Sequence, residues 1–403
     1  TPRERDPALR DPRLWPRDWV ALCDGDAVRP EDAREIALLH TRTGRRVRIR
    51  LPGLRGYRIV GFSDGLLVLL RKSTTALRVL HPLTLVAVDF PSLATVYHEE
   101  VADMGSLRDM KAAVCSSSSS REPSTSSIAA VVLFPNANGN VVVAADGGKD
   151  HWEVLHRRHE KLSIRNTLLF QGRLYATTFH PPSPEIVQLY PPGPTLDNMV
   201  ATVPGAVRYS RYSDTLHLVE SAGRMLLVVR HVIVRASTTK RQLLTFAIYS
   251  VDFDDEDNNG RPTLTPVSGL GDRALFLGDG GCLSVSARGL PSLSSDSIYF
   301  STPFYPLQVR SVAAADPGRW RRSEELATQR QIHDRKERIR PSVRPFTIAD
   351  HLLTFCHPRE WTKGLMFHEY HVIPESFKEL RKKIRAKDSA AAGSTHPQQY
   401  QVS

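Results

Sequence analysis

The stretch "GFSDGLLVLL" at residues 61–70 decides between a catalytic motif and a turn in a β-sheet. Gly61, Ser63 and Gly65 match G-x-S-x-G, the nucleophile elbow of serine hydrolases. That elbow lies at a strand-to-helix turn, whereas an apolar β-type run, residues 66–70, follows here at once. We therefore predict strand, turn, strand, with Ser63, Asp64 and Gly65 in the turn. A serine hydrolase that uses Ser63 stays as an alternative.

The same unit of apolar strand, glycine turn and apolar strand recurs along the chain. It is found again in "VVLFPNANGNVVVAA", "NTLLFQGRLYATTF", "LHLVESAGRMLLVVR" and "LFLGDGGCLSVSA". The turn glycines are Gly65, Gly139, Gly172, Gly223 and Gly281, and glycine suits hairpin turns because they need positive φ. Serial hairpins over roughly 300 residues, with little helix between them, predict an all-β fold, a β-propeller of about six or seven blades. A pair of β-sandwich domains is the rival.

Shifts in composition divide the chain into three parts. Residues 1–35 are polar and proline-rich, a lead-in with Trp15 and Trp19 as docking anchors, and residues 36–320 form the predicted propeller. Residues 321–403 form a charged C-terminal extension, predicted to be helical in part with a disordered tail. Within the propeller, a serine-rich stretch (114–127) and an acidic stretch (251–262) are predicted solvated loops.

The spacing of the cysteines indicates an intracellular protein, in the cytoplasm or the nucleus, while the net charge bears on its partners. The net charge of +11 favours acidic partners, although the arginines are dispersed along the chain. Cys23, Cys115, Cys282 and Cys356 lie far apart, which indicates a reducing compartment rather than a disulfide framework. The longest apolar runs are far too short to span a bilayer, so no membrane association is expected.

Two residue clusters resemble metal sites, but neither completes one. The acidic stretch places Asp255, Asp257, Asn259 and Gly260 as in a calcium loop, yet Pro266 stands where an EF-hand has its bidentate glutamate. The tail carries His351, Cys356, His357, His368 and His371 at spacings that do not suit zinc. We therefore expect no metal, no cofactor and no catalytic residue, which favours a non-catalytic binding module.

Several strings resemble the plant F-box-associated, kelch-like propeller of the KIB type. They are "GFSDGLLVLL" with "LRVLHPLTLVAVDFPSL", and, most specifically, "GLGDRALFLGDGGCLSVSA…SDSIYFS" at 269–301. The resemblance covers roughly residues 36–305 and implies a propeller. Two features depart from the family pattern: no F-box helices precede the strands in this sequence, and His81 stands where the family usually has asparagine.

The resemblance implies a protein-binding propeller, the substrate-recognition part of an F-box-type (SCF) E3 ubiquitin ligase. A Skp1-type adaptor and a cullin are expected partners only if an F-box lies upstream; the target protein and its binding residues are not identified. A stand-alone propeller scaffold is the alternative. The basic stretches "RRVRIR" and "FKELRKKIRAK" keep open a nucleic-acid-binding protein, which the low aromatic content disfavours.

Overall fold

The structure is a computed structural model. It describes residues 9–22, 35–101, 106, 109–117, 127–135, 139–157, 163–180, 183–192, 199–202, 215–234, 242–253, 262–278, 281–302, 305–311 and 348–356. These residues form six β-sheets, which we number in chain order.

The first three sheets come from the first 156 residues. Sheet 1 contains β1 (Trp19–Leu22), β2 (Glu35–His40) and β3 (Arg46–Arg50). Sheet 2 contains β4 (Tyr57–Ser63), β5 (Leu66–Arg71), β6 (Ala76–Leu80) and β7 (Ala87–Ser92). Sheet 3 contains β8 (Lys111–Ser117), β9 (Ser127–Phe134), β10 (Val141–Asp146) and β11 (Glu153–His156).

The other three sheets follow up to residue 311. Sheet 4 contains β12 (Ile164–Phe170), β13 (Arg173–His180), β14 (Ser183–Tyr190) and β15 (Met199–Thr202). Sheet 5 contains β16 (Thr215–Ser221), β17 (Arg224–Val234), β18 (Gln242–Asp252) and β19 (Thr263–Pro266). Sheet 6 contains β20 (Arg273–Leu277), β21 (Cys282–Ser286), β22 (Ser297–Thr302) and β23 (Tyr305–Ser311).

Helix is scarce in the described ranges. A short α1 (Ala94–Val96) continues as a π turn (Tyr97–Val101), and α2 spans Ile348–Phe355. Single 3₁₀ turns cover Pro12–Leu14, Leu54–Gly56 and Ala287–Gly289. Within these ranges, every helix is too short or too polar to cross a bilayer.

The six sheets close into a ring because each packs on two neighbours. In β5, Leu66, Val68 and Leu70 join a buried cluster with sheet 3, while Leu67 and Leu69 join one with sheet 1. Burial on both faces explains why "LLVLL" is a continuous apolar run rather than an alternating one. Equivalent clusters join sheets 3 and 4, 4 and 5, and 5 and 6.

A final cluster joins the last sheet to the first. It combines Val20, Leu22 and Leu39 of sheet 1 with Phe276 and Tyr299 of sheet 6. The described residues therefore form a closed six-sheet ring, the all-β propeller that the serial hairpins predict, rather than two sandwiches.

Helix α2 completes the inner side of sheet 1. The edge strands β4, β8, β12, β16 and β21 contact one another in succession and so line the inside of the ring. In sheet 1 the neighbour of β1 is instead α2. Its Leu352 and Leu353 are buried between sheets 6 and 1, and the Phe355 ring meets the Phe62 ring of β4 edge-on at 5.5 Å. A segment from the charged C-terminal extension thus fills the place of an inner strand.

Sheet 6 departs from a simple series of hairpins. Strand β20 pairs in parallel with β22, with Ala274 opposite Ser297 and Leu277 opposite Phe300. The chain returns from β21 at the inner edge and crosses to the other side of β20. The crossover is held by Leu290 and Leu293, which are buried in the cluster between sheets 6 and 1.

Candidate functional site

At one end of the ring, which we call the turn face, three of the hairpin turns that the structure describes have nearly the same backbone angles. They are Asp64–Gly65, Gln171–Gly172 and Ala222–Gly223, with φ of 49° and 82°, 51° and 79°, and 52° and 77°. Positive φ at both central residues is the type I′ turn that suits two-residue hairpins. The turn between β2 and β3 (residues 41–45) and the end of β21 lie at the same end of the ring.

Ser63 ties two inner strands together at this face. It is the last residue of β4, it is buried, and its hydroxyl donates to the carbonyl oxygen of Val114 in β8 at 3.4 Å. Strand β5 begins at Leu66, so the segment is strand, turn and strand as predicted. The strand-to-helix geometry of a nucleophile elbow is therefore not what surrounds Ser63.

Asp64 is a partly buried carboxylate at the tip of the first of these turns. Its side chain is 19% exposed, and Arg17 Nε lies 3.1 Å from its Oδ2. Burial raises the pKa of Asp64 from 3.8 to about 6, although the Arg17 charge acts in the opposite direction. The negative charge of Glu220 raises the pKa of Asp64 further.

The charge of Glu220 acts on Asp64 across the inside of the ring. Asp64 belongs to sheet 2 and Glu220 to sheet 5, three steps apart in a ring of six described sheets. Side chains from opposite sheets approach each other most closely near the centre of the ring. Burial also raises the pKa of Glu220, and the charges of Arg17 and Arg273 act against that rise. We call Arg17, Asp64, Glu220 and Arg273 the axial charge cluster.

The segment before β1 places Arg17 over the turn. A Cβ built on Gly65 would lie 2.0 Å from the carbonyl oxygen of Pro16, so only glycine admits this approach. Trp15 is buried between sheets 2 and 3, and its Nε1 donates to the Leu9 carbonyl at 3.1 Å, as expected of a docking anchor. Residues 9–18 therefore hold Arg17 at the axis, although they fall in the range that the sequence assigns to a lead-in.

Arg273 fixes the junction of sheets 5 and 6 beneath the same face. Its guanidinium donates to Ser284 Oγ at 3.0 Å and to the Ser284 carbonyl at 2.9 Å. The Ser284 hydroxyl lies 2.8 Å from the Ser221 hydroxyl at the end of β16. Burial lowers the pKa of Arg273, with opposing contributions from nearby carboxylates, including Glu220.

In three ion pairs on the turn face, the arginine side chain is more exposed to solvent than the carboxylate with which it pairs. Arg42 Nε lies 2.9 Å from Asp18, with exposures of 74% and 38%. Arg288 Nε lies 3.3 Å from Asp272, with exposures of 84% and 37%. In the axial pair the exposures are 50% for Arg17 and 19% for Asp64. The face therefore presents guanidinium groups outward.

The predicted metal-like clusters are only partly described. Asp255, Asp257, Asn259, Gly260, His357, His368 and His371 lie outside the described residues, as does most of the serine-rich stretch. His351 and Cys356 are both buried, and the Cys356 thiol donates to the Phe276 carbonyl at 3.6 Å. Among the residues that the structure covers, no three His, Cys, Asp or Glu side chains are grouped to hold a metal ion.

Sequence reasoning misses the axial charge cluster. The sequence pattern marks Asp64 only as a turn residue, and it does not single out Arg17, Glu220 or Arg273. One signal is present: aligning the hairpins on Gly65 and Gly223 places "FSDG" over "ESAG", so Glu220 and Asp64 fall within the same turn motif. That these turns face each other follows only from ring closure.

Comparisons with known proteins agree with this architecture. A model of the family described as "KIB1-4 beta-propeller" matches residues 28–327. No curated protein matches the chain.

Similar solved structures are distant. A prolyl endopeptidase structure has 12% identity and a TM-score of 0.31, covering 70% of this chain and 45% of its own. The dihydro-heme d1 dehydrogenase NirN has 11% identity and a TM-score of 0.29, covering 81% and 66%. The mannosyltransferase MPT-1 from Leishmania mexicana has 9% identity and a TM-score of 0.23, covering 60% and 90%. The chain thus spans less than half the length of the endopeptidase, and the family match alone carries the assignment.

Proposed function

We propose that this chain, which belongs to the KIB1-4 β-propeller family, is a non-catalytic propeller that holds a protein target against its turn face. The observation that carries the proposal is the shared orientation of the three ion pairs, Arg42 with Asp18, Arg288 with Asp272, and Arg17 with Asp64. Each directs its guanidinium outward over a less exposed carboxylate. The target surface that fits such a face carries Asp or Glu side chains.

The energetics of exposed ion pairs support this use. Each such pair contributes about 0–1 kcal/mol, so an arginine can turn to a carboxylate of the target at little cost to the fold. Arginine also forms bidentate hydrogen bonds with carboxylates and is enriched in protein interfaces. The net charge of +11 helps to attract an acidic partner.

We further propose that the propeller is the target-binding part of an F-box-type ubiquitin ligase. The resemblance of residues 61–91 and 269–301 to the F-box-associated KIB type supports this role. In such a ligase the propeller holds the target while ubiquitin transfer takes place on other subunits, so no residue of this chain need do chemistry. The alternative is a stand-alone propeller scaffold that binds its target without an adaptor.

The test purifies the tagged full-length protein from its own tissue and quantifies its partners by mass spectrometry. Three versions are compared: wild type, Arg42→Glu/Arg288→Glu on the turn face, and Arg48→Glu/Arg50→Glu on the outer strand β3. We expect the turn-face variant to lose a bound target at least about fivefold, because like charges now oppose it. The β3 variant changes the net charge equally and should keep the target.

The outcomes separate the two parts of the proposal. Equal target recovery from all three versions would contradict target binding at the turn face. A Skp1-type adaptor and a cullin recovered with every version would support the ligase role. Their absence from a preparation that retains its target would leave the scaffold alternative.

A further inference from the structure

Three polar side chains from inner strands of consecutive sheets meet at one point. Asn166 lies in β12, His217 in β16 and Cys282 in β21. The Cys282 Sγ is 3.6 Å from His217 Nδ1 and 3.9 Å from Asn166 Nδ2. Cys282 opens β21, and its Sγ is also 4.0 Å from the Gly278 carbonyl at the preceding turn. The thiol is thus surrounded by an imidazole nitrogen, an amide nitrogen and a carbonyl oxygen.

The orientation of Asn166 is set from the other side. Its Oδ1 accepts a hydrogen bond from the Leu218 amide at 2.9 Å, so its Nδ2 is directed to the sulfur. Asn166 and His217 are both buried, which restricts the side-chain conformations that each can adopt. The arrangement therefore offers the sulfur a proton acceptor in His217 and a hydrogen-bond donor in Asn166.

This setting differs from that of the other described cysteines. Cys115 and Cys356 are fully buried, and burial raises the pKa of each thiol. Cys282 is partly exposed and contacts an imidazole. A thiolate next to a histidine and an amide donor is stabilised, and the thiolate is the nucleophilic form of cysteine.

We propose that Cys282 is a nucleophilic thiol, deprotonated by His217 and positioned by Asn166, and that it is a site of covalent modification by α,β-unsaturated carbonyl compounds. The thiol proton moves to His217 Nδ1. The sulfur then adds to the β-carbon of the electrophile, so that an S–C bond forms and the C=C π bond breaks. The α-carbon of the resulting enolate takes the proton back from His217, and the imidazole is regenerated without any further reactant.

This inference is independent of target binding at the turn face. The axial charge cluster and the thiol lie at different levels of the ring, because Glu220 and Ser221 end β16 whereas His217 lies near its start. Failure of one proposal leaves the other untouched.

The test uses N-ethylmaleimide, an α,β-unsaturated carbonyl probe, on the folded full-length chain. Samples are quenched at short times, digested, and read by mass spectrometry for occupancy at each cysteine peptide. At pH 7 we expect Cys282 to react at least about tenfold faster than Cys115 and Cys356, as a histidine-activated thiol does. Equal rates at the three thiols would overturn the proposal.

Substitution of the base adds a second readout. His217→Gln should slow labelling of Cys282 at least about tenfold at pH 7, while the difference from wild type should shrink towards pH 9, where an ordinary thiol ionises by itself. His81→Gln is the matched control, because His81 is also buried but lies in the turn between β6 and β7, far along the ring from Cys282. Asn166→Ala should give an intermediate slowing with the same pH trend.

If His217→Gln fails to fold, the pH dependence of the labelling rate in wild-type protein still tests the proposal. The labelling rate of an ordinary thiol falls about tenfold per pH unit below its pKa of about 8.5. We expect the rate at Cys282 to fall less than about threefold between pH 8 and pH 6.5. A tenfold-per-unit fall over that range would overturn the proposal.

Discussion

Gly65 and Pro16 are in such close contact that a Cβ on Gly65 would lie 2.0 Å from the Pro16 carbonyl oxygen. Gly65 also has a φ of +82°, which disfavours any other residue. The contact joins the segment before β1 to the first hairpin of sheet 2. It therefore controls where the neighbouring Arg17 lies relative to Asp64.

Gly65→Ala should destabilise the protein more than Gly223→Ala does. Gly223 has a similar φ of +77°, but nothing lies within 4 Å of its Cβ position. The control should cost only the backbone strain of about 1–2 kcal/mol, whereas Gly65→Ala must in addition push Pro16 away. Urea unfolding measures both variants, and equal losses would show that the Pro16 contact does not matter.

Asp64→Asn should gain stability relative to wild type as the pH rises from about 4 to about 7. The pKa of Asp64 is raised from 3.8 to about 6 in the folded state, so its favourable contribution is present below pH 4 and is lost as the pH passes 6. The amide side chain of the variant cannot ionise, so the variant does not lose this stability as the pH rises. Its free energy of unfolding relative to wild type should therefore increase by up to about 3 kcal/mol.

Asp272 provides a control, because its effect on stability should change with pH in the opposite direction. The Ser286 hydroxyl and nearby arginines lower the pKa of Asp272, so its contribution is present above the ordinary carboxyl pKa and is lost in acid. Asp272→Asn should therefore lose stability relative to wild type as the pH rises. The measurement is the urea unfolding midpoint of each protein at several pH values. If the difference in midpoint between Asp64→Asn and wild type does not change with pH, the raised pKa of Asp64 is refuted.

The hairpins could be predicted from sequence because their signals are local. Gly65, Gly172 and Gly223 each follow an apolar strand, and each occupies a turn with positive φ. The axial charge cluster could not be predicted this way, since the charge of Glu220 acts on Arg17 and Asp64 only because sheets 2 and 5 face each other in a closed ring. The parallel pairing of β20 with β22 likewise depends on a crossover that hairpin patterns do not reveal.

Leu352→Ala should weaken closure of the ring. Leu352 is fully buried between sheets 6 and 1, and truncation of such a leucine costs about 2–5 kcal/mol. Leu83→Ala is a matched control, because Leu83 is 42% exposed and should cost much less. Thermal unfolding compares the two, and equal shifts would argue against α2 as part of the core.

Ser63→Ala should leave the chain unlabelled by a fluorophosphonate probe, as wild type is also expected to be. The substitution removes the hydrogen bond to Val114, which lies in the next sheet, and should cost about 1 kcal/mol in urea unfolding. Stoichiometric labelling of wild type that Ser63→Ala abolishes would instead restore the hydrolase alternative.

The position of α2 has a consequence for how this protein is made. Sheet 1 begins at Trp19, but its inner neighbour starts only at Ile348. At synthesis rates of about 5–20 residues per second, the first strands wait roughly 15–65 s on the ribosome before the helix that covers them has been translated. During that interval the inner edge of β1 is not covered by α2. A message cut short before the codon for Ile348 would yield sheets 1 and 6 without the leucines that α2 packs between them, and an inner edge of β1 left uncovered.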